Sequence, residues 1–343
     1  QQRLWFLHEF DPTSTEYVTP VAVRLTGNLH TDALTAALES LTARHESLRT
    51  TFQAGTDGIA RQVIGAPGAV ALTRADLTGT EPQQRQAALE ALLAEHTGRP
   101  FDLATGPLLR VVLARLAPGE HVLLLVLHHI VTDGWSTGVL MTELAELYAA
   151  AVTVRDPQLP ALPVQYADFA AWQRDRLTGP LLDEQLSYWR DTLDGVATLE
   201  LPYDRPRPPV HTQHGAVHEF RVPAELAADL TSLGRRSGGT LFTTLVAACQ
   251  VLLSRWSGQD DVAVGTVTSG RDRAELENLV GFFVNTVVLR SHVDGGRSFA
   301  DLLGRVRHTV LDALAHQDVP FERLVDELRP ARDPSRTPLF QVM

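Results

Sequence analysis

The chain has little of several residue types, and some of these shortages exclude a class of protein or site. Its 343 residues include one cysteine, so a disulfide framework and a cysteine-based zinc site are both excluded. No window approaches twenty uninterrupted apolar residues, so we expect no transmembrane helix. Lysine is absent, and all 30 basic residues are arginine. The net charge of −11 argues against nucleic acid as the main partner.

What remains is the composition of an ordinary globular protein, with 44% hydrophobic and 21% charged residues. A chain of this length is too long for one simple core and predicts two domains. The amino terminus lacks the basic head and apolar run of a secretory signal, so we expect a cytoplasmic location. It also lacks an initiator methionine, and we expect the chain to be part of a longer protein.

Helical and extended patterns alternate in both halves, which predicts a mixed α/β fold. A proline-rich connector at 157–163 separates the halves, and the domains are predicted at 1–170 and 171–343. A helix is predicted to begin near Thr31, and another at 298–316. Strands are predicted at 17–26, 108–116, 121–130, 218–222, 261–270 and 279–290.

The stretch VLLLVLHHIVTDGWSTG ends an apolar run with two histidines and an Asp-Gly pair. Successive side chains of a strand point to opposite faces, so His128 and His129 cannot both reach one small target. That argues against a metal site and predicts that one ring packs while the other borders the end of the strand. Gly134 would permit a tight turn and a close backbone approach, and its N–H or the Ser136 hydroxyl could donate to an oxyanion.

Seven short motifs occur in order along essentially the whole chain. They are QQRLWFL (1–7), RHESLRTTF (44–52), HHIVTDGWS (128–136), YADFAAW (166–172), VGFFVNTVVLR (280–290), HQDVPFE (316–322) and RDPSRTPL (332–339). This series resembles the condensation domains of nonribosomal peptide synthetases, whose signature is HHxxxDG. Related acyltransferases of the chloramphenicol acetyltransferase type share only the HxxxD core.

The resemblance implies two chloramphenicol-acetyltransferase-like lobes in a V-shaped pseudo-dimer with a tunnel between them, the second lobe being cut short at its carboxyl end. It implies an acyltransferase that moves a donor acyl group from one carrier-protein phosphopantetheine thioester to the amine of an aminoacyl acceptor on another. The domain itself would bind no cofactor and no metal.

The implied partners are donor and acceptor peptidyl carrier proteins and an adjacent adenylation domain, with no nucleic acid and no membrane. The domain would be monomeric within a multidomain synthetase. Two alternatives remain open: a stand-alone acyltransferase that makes an ester or amide, and a non-catalytic recruitment platform of the same fold. The subtype implied by QQRLWFL and DGWS joins an L-configured donor to an L acceptor.

The resemblance also implies a catalytic set of His129, Asp133, Gly134 and His128. His129 would face the tunnel as a general base, for which an ordinary histidine pKa near 6.5 is suited. Alternatively it would orient the amine or stabilise the tetrahedral state. His128 would face packing. Asp133 would stay ionised and fix its loop through an arginine, with Arg44 the first choice and Arg49 the alternative.

Four further residues complete the predicted site. Trp172 is expected at an interface or in core packing. Asn285, a polar residue within an apolar run, would lie near the tunnel or serve a structural role, and it needs hydrogen-bond partners. Arg332 and Arg336 could contact the phosphate of a carrier arm.

Overall fold

A computed structural model describes residues 1–209, 215–330, 333 and 335–343. By its internal contacts the chain divides into two compact units: Gln1–Arg174 with Arg271–Phe283, and Asp175–Gly270 with Val284–Met343. The segment Arg271–Phe283 thus groups with the first unit, although it lies in the half of the sequence predicted as the second domain. The predicted boundary between residues 170 and 171 stays a prediction.

The first unit alternates helices and strands. Its helices are α1 (Gln2–Phe10), α2 (Thr31–Arg44), α3 (Pro82–Thr97), α4 (Gly134–Thr153) and most of α5 (Tyr166–Arg176), and its strands are β1 (Val18–Thr26), β2 (Thr50–Ala54), β3 (Ala60–Ile64), β4 (Leu72–Asp76), β5 (Leu109–Ala117) and β6 (Glu120–His128). One sheet has the order β1-β6-β5-β4, and β2 and β3 form a separate hairpin. Among the described strands only β4 and β5 pair in parallel, with α3 as the crossover between them.

The central strand β6 is apolar from Val122 to Leu127 because both faces of the sheet are covered. Leu123, Leu125 and Leu127 face the apolar cluster that includes residues of α2 and α4. Leu124 and Val126 face a second cluster on the opposite side. Each such leucine contributes about 1.5–3 kcal/mol by leaving water. Because β6 is packed on both faces, it holds in place the turn that begins after its last residue, His128.

The described residues of the second unit contain fewer strands. Its helices are α6 (Gly179–Leu193), α7 (Ala224–Arg236), α8 (Leu241–Ser257), α9 (Phe299–Ala315) and α10 (Phe321–Leu328), and its strands are β7 (Asp261–Thr268) and β8 (Asn285–His292). The two strands pair antiparallel, and the apolar cluster over them includes Val246 of α8 and Val306 of α9. Both α8 and α9 begin with a complete capping box, in which the N-cap and N3 side chains each accept the other residue's backbone N–H. The mixed α/β class is confirmed.

Three strand predictions fail in instructive places. Residues 218–222 are exposed, belong to no helix or strand and pair with no strand among the described residues. The strand predicted at 121–130 ends at His128, and a 3₁₀ turn takes over from His129 to Val131. The strand predicted at 279–290 begins only at Asn285. The residues missing from these two strands, 129–130 and 279–283, belong to the candidate site. There, side chains form the hydrogen bonds to the backbone that a neighbouring strand would form in a sheet.

No single helix in the described ranges is long and apolar enough to cross a membrane. One bent pair, Ala224–Arg236 with Leu241–Ser257, passes on length and composition with an angle of 101° between its helices.

Candidate active site

The side chains of His128 and His129 are separated because the chain leaves the sheet between these two residues. His128 is the last residue of β6, and His129 begins the 3₁₀ turn. The backbone N–H of His129 donates to the carbonyl of Tyr17 at 2.7 Å, which anchors the turn beside the start of β1. The amide side chain of Gln1 donates to Ile130 O at 2.7 Å, so the first motif supports the same turn. The rings are separated as predicted, but by a turn rather than by strand alternation alone.

One nitrogen of the His129 imidazole is engaged in a hydrogen bond. Its Nδ1 lies 2.7 Å from the carbonyl oxygen of Thr132, which can only accept a hydrogen bond. Nδ1 therefore carries the hydrogen in the neutral ring, and Nε2 keeps its lone pair. Within the described residues, Nε2 has no hydrogen-bond partner. The half-buried ring thus presents a proton-accepting nitrogen, which is the form that a general base or an orienting group requires.

His128 is buried and plays a different part. Its Nδ1 accepts the backbone N–H of Ile130 at 3.1 Å, and its ring meets that of Phe101 edge-on at 6.0 Å. Burial, together with the nearby His8 and His129, lowers the pKa of His128 to about 3. A ring that stays neutral and packed at physiological pH fits a structural role. In the part of the chain that the structure describes, no group of histidine, cysteine and acidic side chains could hold a metal ion.

Asp133 is fully buried at the start of α4 and accepts hydrogen bonds from donors far apart in sequence. Its carboxylate accepts the N–H of Ser136 at 2.7 Å as an N-cap and the N–H of Phe283 at 3.0 Å. Arg271 Nη2 approaches it at 3.3 Å in a buried ion pair. Burial lowers the pKa of the Arg271 guanidinium, and the charge of Asp133 opposes that shift. Asp133 is thus held by donors on every side, as an anchor of the loop.

The predicted partners of Asp133 are wrong. Arg44 donates instead to Glu143 at 3.0 Å and to the carbonyl of Pro160 at 2.6 Å. Glu143 also contacts His45 Nε2 at 2.6 Å; burial opposes its charge, yet these hydrogen bonds hold its pKa below the ordinary value. Arg49 pairs with Glu46 and with the carbonyl of Gly65. The true partner, Arg271, lies 138 residues from Asp133, beyond the reach of any local pattern.

Gly134 and Ser136 differ from expectation in opposite ways. Gly134 is the first residue of α4, is exposed, and has open space where a side chain would stand, so no tight turn requires it. Its open surroundings fit the predicted close approach of a ligand. Ser136 is fully buried, and its hydroxyl donates to Gly281 O at 2.9 Å while accepting from Gly281 N and from Arg271. A hydroxyl with all of these bonds cannot also serve an oxyanion, so that alternative is wrong.

Residues 279–283 form an irregular segment that side chains hold in place. Arg271 Nη1 donates to Leu279 O at 2.9 Å, and Tyr166 donates its hydroxyl to Phe282 O at 2.7 Å. Burial, and then the charge of Asp133, raise the pKa of Tyr166, which keeps it a donor. A Cβ on Gly281 would lie 2.0 Å from the Tyr166 ring, so only glycine fits there. Sequence reasoning missed Tyr166 as a site-supporting residue, although it opens the fourth motif.

The remaining predicted residues lie apart from these groups. Trp172 is half-buried, with its ring 6.0 Å from Phe169 and the Arg273 guanidinium 4.6 Å above it, which fits the expected packing. Asn285 lies in the second unit, where its amide donates to the carbonyls of Gln317 and Val319, both at 2.7 Å. Arg332 lies outside the described residues.

Arg336 is not a free cation. Its guanidinium forms a two-point contact with Glu200 and lies 3.5 Å from Asp333. The hydrogen bond to Glu200 raises the pKa of Arg336. A phosphate would have to compete with two carboxylates, and the contact of Arg336 with a carrier arm stays a prediction.

Comparisons with known proteins agree with one another. The family model described as Condensation domain matches residues 1–343. One of the polypeptides of linear gramicidin synthase from Brevibacillus parabrevis is 51% identical over 344 residues, which is 100% of this chain but 4% of that protein. Phosphinothricin tripeptide synthetase PhsC from Streptomyces viridochromogenes is 47% identical over 343 residues, which is 100% of this chain and 32% of that protein. The chain therefore spans a small part of these relatives.

Solved structures give the same picture. The X-domain from teicoplanin biosynthesis is 32% identical with a TM-score of 0.88, covering 99% of this chain and 75% of its own. The same domain in complex with OxyB matches with a TM-score of 0.88. The first condensation domain of the calcium-dependent antibiotic synthetase, in complex with a substrate analogue, is 25% identical with a TM-score of 0.79, covering 95% of this chain and 75% of its own.

Proposed function

The chain belongs to the condensation domain family, and we propose that it forms amide bonds in nonribosomal peptide synthesis. The donor is an acyl or peptidyl thioester on the phosphopantetheine arm of one carrier protein. The acceptor is the amine of an aminoacyl thioester on a second carrier. The new C–N bond forms as the donor C–S bond breaks, and the grown chain stays on the acceptor while the donor thiol leaves with a proton.

The fixed tautomer of His129 carries this proposal. The hydrogen bond from Nδ1 to Thr132 O leaves the Nε2 lone pair available to the attacking amine. Nε2 accepts either the proton that the amine loses or a hydrogen bond that orients the amine for attack. A thioester is already activated, so a single positioned nitrogen is a sufficient contribution from the side chain.

Asp133 supports the site without taking a proton. Its carboxylate is committed to Arg271 and to two backbone N–H groups, and no hydrogen bond joins it to His129 among the described residues. Gly134 and Trp135, the exposed first two residues of α4, lie directly after this anchor. We include their backbone as the surface over which the thioester carbonyl would lie, since a helix amino terminus favours developing negative charge.

The finer assignments belong to the same proposal. We propose donor and acceptor carrier proteins and a neighbouring adenylation domain as partners, because the relatives named above are peptide synthases. We propose the subtype that joins an L donor to an L acceptor, which the motifs QQRLWFL and DGWS support. The two-lobe division at residues 170 and 171 and the cytoplasmic location stay predictions.

A condensation assay with both carriers loaded tests the proposal. The chain is used within its full natural polypeptide, and intact acceptor carrier is weighed by mass spectrometry to detect the grown product. His129→Ala is expected to reduce product formation by about 10²-fold or more, the usual loss for a general base. The matched control is His292→Ala, an exposed histidine of the second unit, which should leave the rate unchanged. Near-normal turnover by His129→Ala would remove the catalytic assignment.

A recruitment platform is the second candidate. The observation that favours it is the likeness to the X-domain from teicoplanin biosynthesis, a domain solved in complex with OxyB. The same assay separates the two, because a platform would give no product even as the wild-type polypeptide with loaded carriers of matched specificity.

A further inference from the structure

One aromatic ring touches the imidazole of His129 without any role assigned to it so far. The Phe282 ring stands edge-to-face against His129, with centroids 5.3 Å apart and planes at 90°. Such T-shaped contacts are favourable and directional. Phe282 is half-buried and packs against the apolar cluster that contains Ile130 and Val131 of the same turn.

The imidazole needs this second support. A single hydrogen bond from Nδ1 to Thr132 O fixes one atom of the ring but leaves it free to swing about that atom. A ring packed perpendicular to it removes that freedom. The plane of the imidazole, and with it the direction of the Nε2 lone pair, is then defined by two contacts from different parts of the chain.

The backbone that carries Phe282 is held with unusual completeness for a segment outside any helix or strand. Four carbonyls and two N–H groups from Leu279 to Phe283 are bound by buried or half-buried side chains. Arg271 binds Leu279 O, Ser47 binds Val280 O at 2.7 Å, Ser136 binds both Gly281 groups, Tyr166 binds Phe282 O, and Asp133 binds Phe283 N. Irregular segments are ordinarily among the more mobile parts of a protein.

We propose that Phe282 is a positioning residue, which holds the His129 imidazole in its reactive orientation, and that Asp133 and Arg271 act on His129 through the segment bearing Phe282. Asp133 reaches this segment directly at Phe283 N, one residue from Phe282. Arg271 reaches it at Leu279 O and through Ser136. The buried ion pair thus sets the position of a ring rather than the charge of the histidine. This inference rests on the proposed function.

The test compares Phe282→Ala, Phe282→Leu and Phe282→Tyr in the full natural polypeptide. Phe282→Ala should lower kcat by about 10- to 100-fold, since small misplacements of a reacting group have effects of this size. KM for each loaded carrier should change less than about twofold, because no carrier contact is removed. Phe282→Tyr retains the ring and should restore kcat, whereas Phe282→Leu retains bulk alone and should fall between the two.

A second readout does not depend on turnover. Nitrogen NMR of the ¹⁵N-histidine-labelled protein distinguishes the two neutral tautomers. Wild-type His129 should show a single tautomer protonated at Nδ1. Phe282→Ala should show a mixture, because a ring without this packing loses its hydrogen bond to Thr132 O for part of the time. The matched control is Phe101→Leu, which removes the ring beside His128, lowers the melting temperature and leaves kcat within about twofold.

The outcomes separate this inference from the proposed function. If Phe282→Ala keeps both kcat and the single tautomer, the positioning role is overturned even though His129→Ala is inactive. Equal losses in Phe282→Tyr and Phe282→Ala would overturn it as well, since the ring would then not be the cause. If instead His129→Ala is fully active, the proposed function fails, and the NMR result still decides whether Phe282 orients the ring.

Discussion

Asp133 in the first unit and Asn285 in the second perform the same task with different chemistry. Each is a polar side chain that binds backbone groups of a distant irregular segment. Asp133 accepts from Ser136 N and Phe283 N. Asn285 donates to the carbonyls of Gln317 and Val319 and accepts the N–H groups of Thr286 and Phe321. Asp133 therefore binds donors alone, whereas Asn285 binds both donors and acceptors.

The difference explains why only one of the two needs a counterion. An amide has two donor hydrogens and an oxygen with two lone pairs, so Asn285 satisfies all four neighbours without a charge. The groups that bind the side chain of Asp133 are Ser136 N, Phe283 N and Arg271 Nη2, and a carboxylate can accept from all three. A fully buried carboxylate requires compensation, which Arg271 supplies. The ion pair of Asp133 and Arg271 is thus present because the backbone groups bound at this position are N–H donors.

The largest effect is expected from breaking the charged anchor. Arg271→Ala leaves Asp133 buried without its cation and should lower the free energy of unfolding by about 3–5 kcal/mol. Chemical denaturation of the full polypeptide, followed by a probe in this domain, measures it. The control is Arg61→Ala, which breaks an exposed arginine–aspartate pair of the first unit and should leave the unfolding midpoint unchanged. Equal effects of the two variants would mean that the buried pair is not an anchor.

A smaller effect is expected from the neutral anchor. Asn285→Ala leaves the carbonyls of Gln317 and Val319 without their donor and should cost about 1–3 kcal/mol of the free energy of unfolding. Asn285→Asp keeps the acceptor atoms but sets a carboxylate against two carbonyls, so it should be at least as destabilising. The exposed Asn28→Ala serves as the control and should have no measurable effect. An Asn285→Asp variant as stable as wild type would remove the distinction drawn between the two anchors.

The sequence allowed the mixed α/β class, the long helices and the central strand to be predicted, because apolar periodicity records burial. It also predicted that His128 and His129 are separated. It failed at the end of β6 and at the start of β8, where the chain remains apolar while its backbone turns to side-chain partners. Val280, Phe282 and Phe283 have the pattern of strand residues, and nothing local indicates that distant side chains bind the backbone of this segment.

The partner of Asp133 failed for the same reason. Arg44 and Arg49 belong to a motif that resembled a site, but the geometry turns Arg44 to Glu143. Arg271 follows β7 in an unremarkable Gly-Arg-Asp-Arg sequence, and only tertiary packing brings it to Asp133. The chain contains 30 arginines, so composition alone cannot identify which of them pairs with Asp133.

We propose that Asp133 acts on His129 through the position of Phe282 and not through proton transfer. A double-mutant cycle on the condensation rate, with Asp133→Asn, Phe282→Ala and the double variant in the full natural polypeptide, tests it most directly. We expect the double variant to lose little more rate than the more damaging single variant, because both changes release the same ring. Losses that multiply in the double variant would contradict it, since Asp133 and Phe282 would then act on the reaction independently.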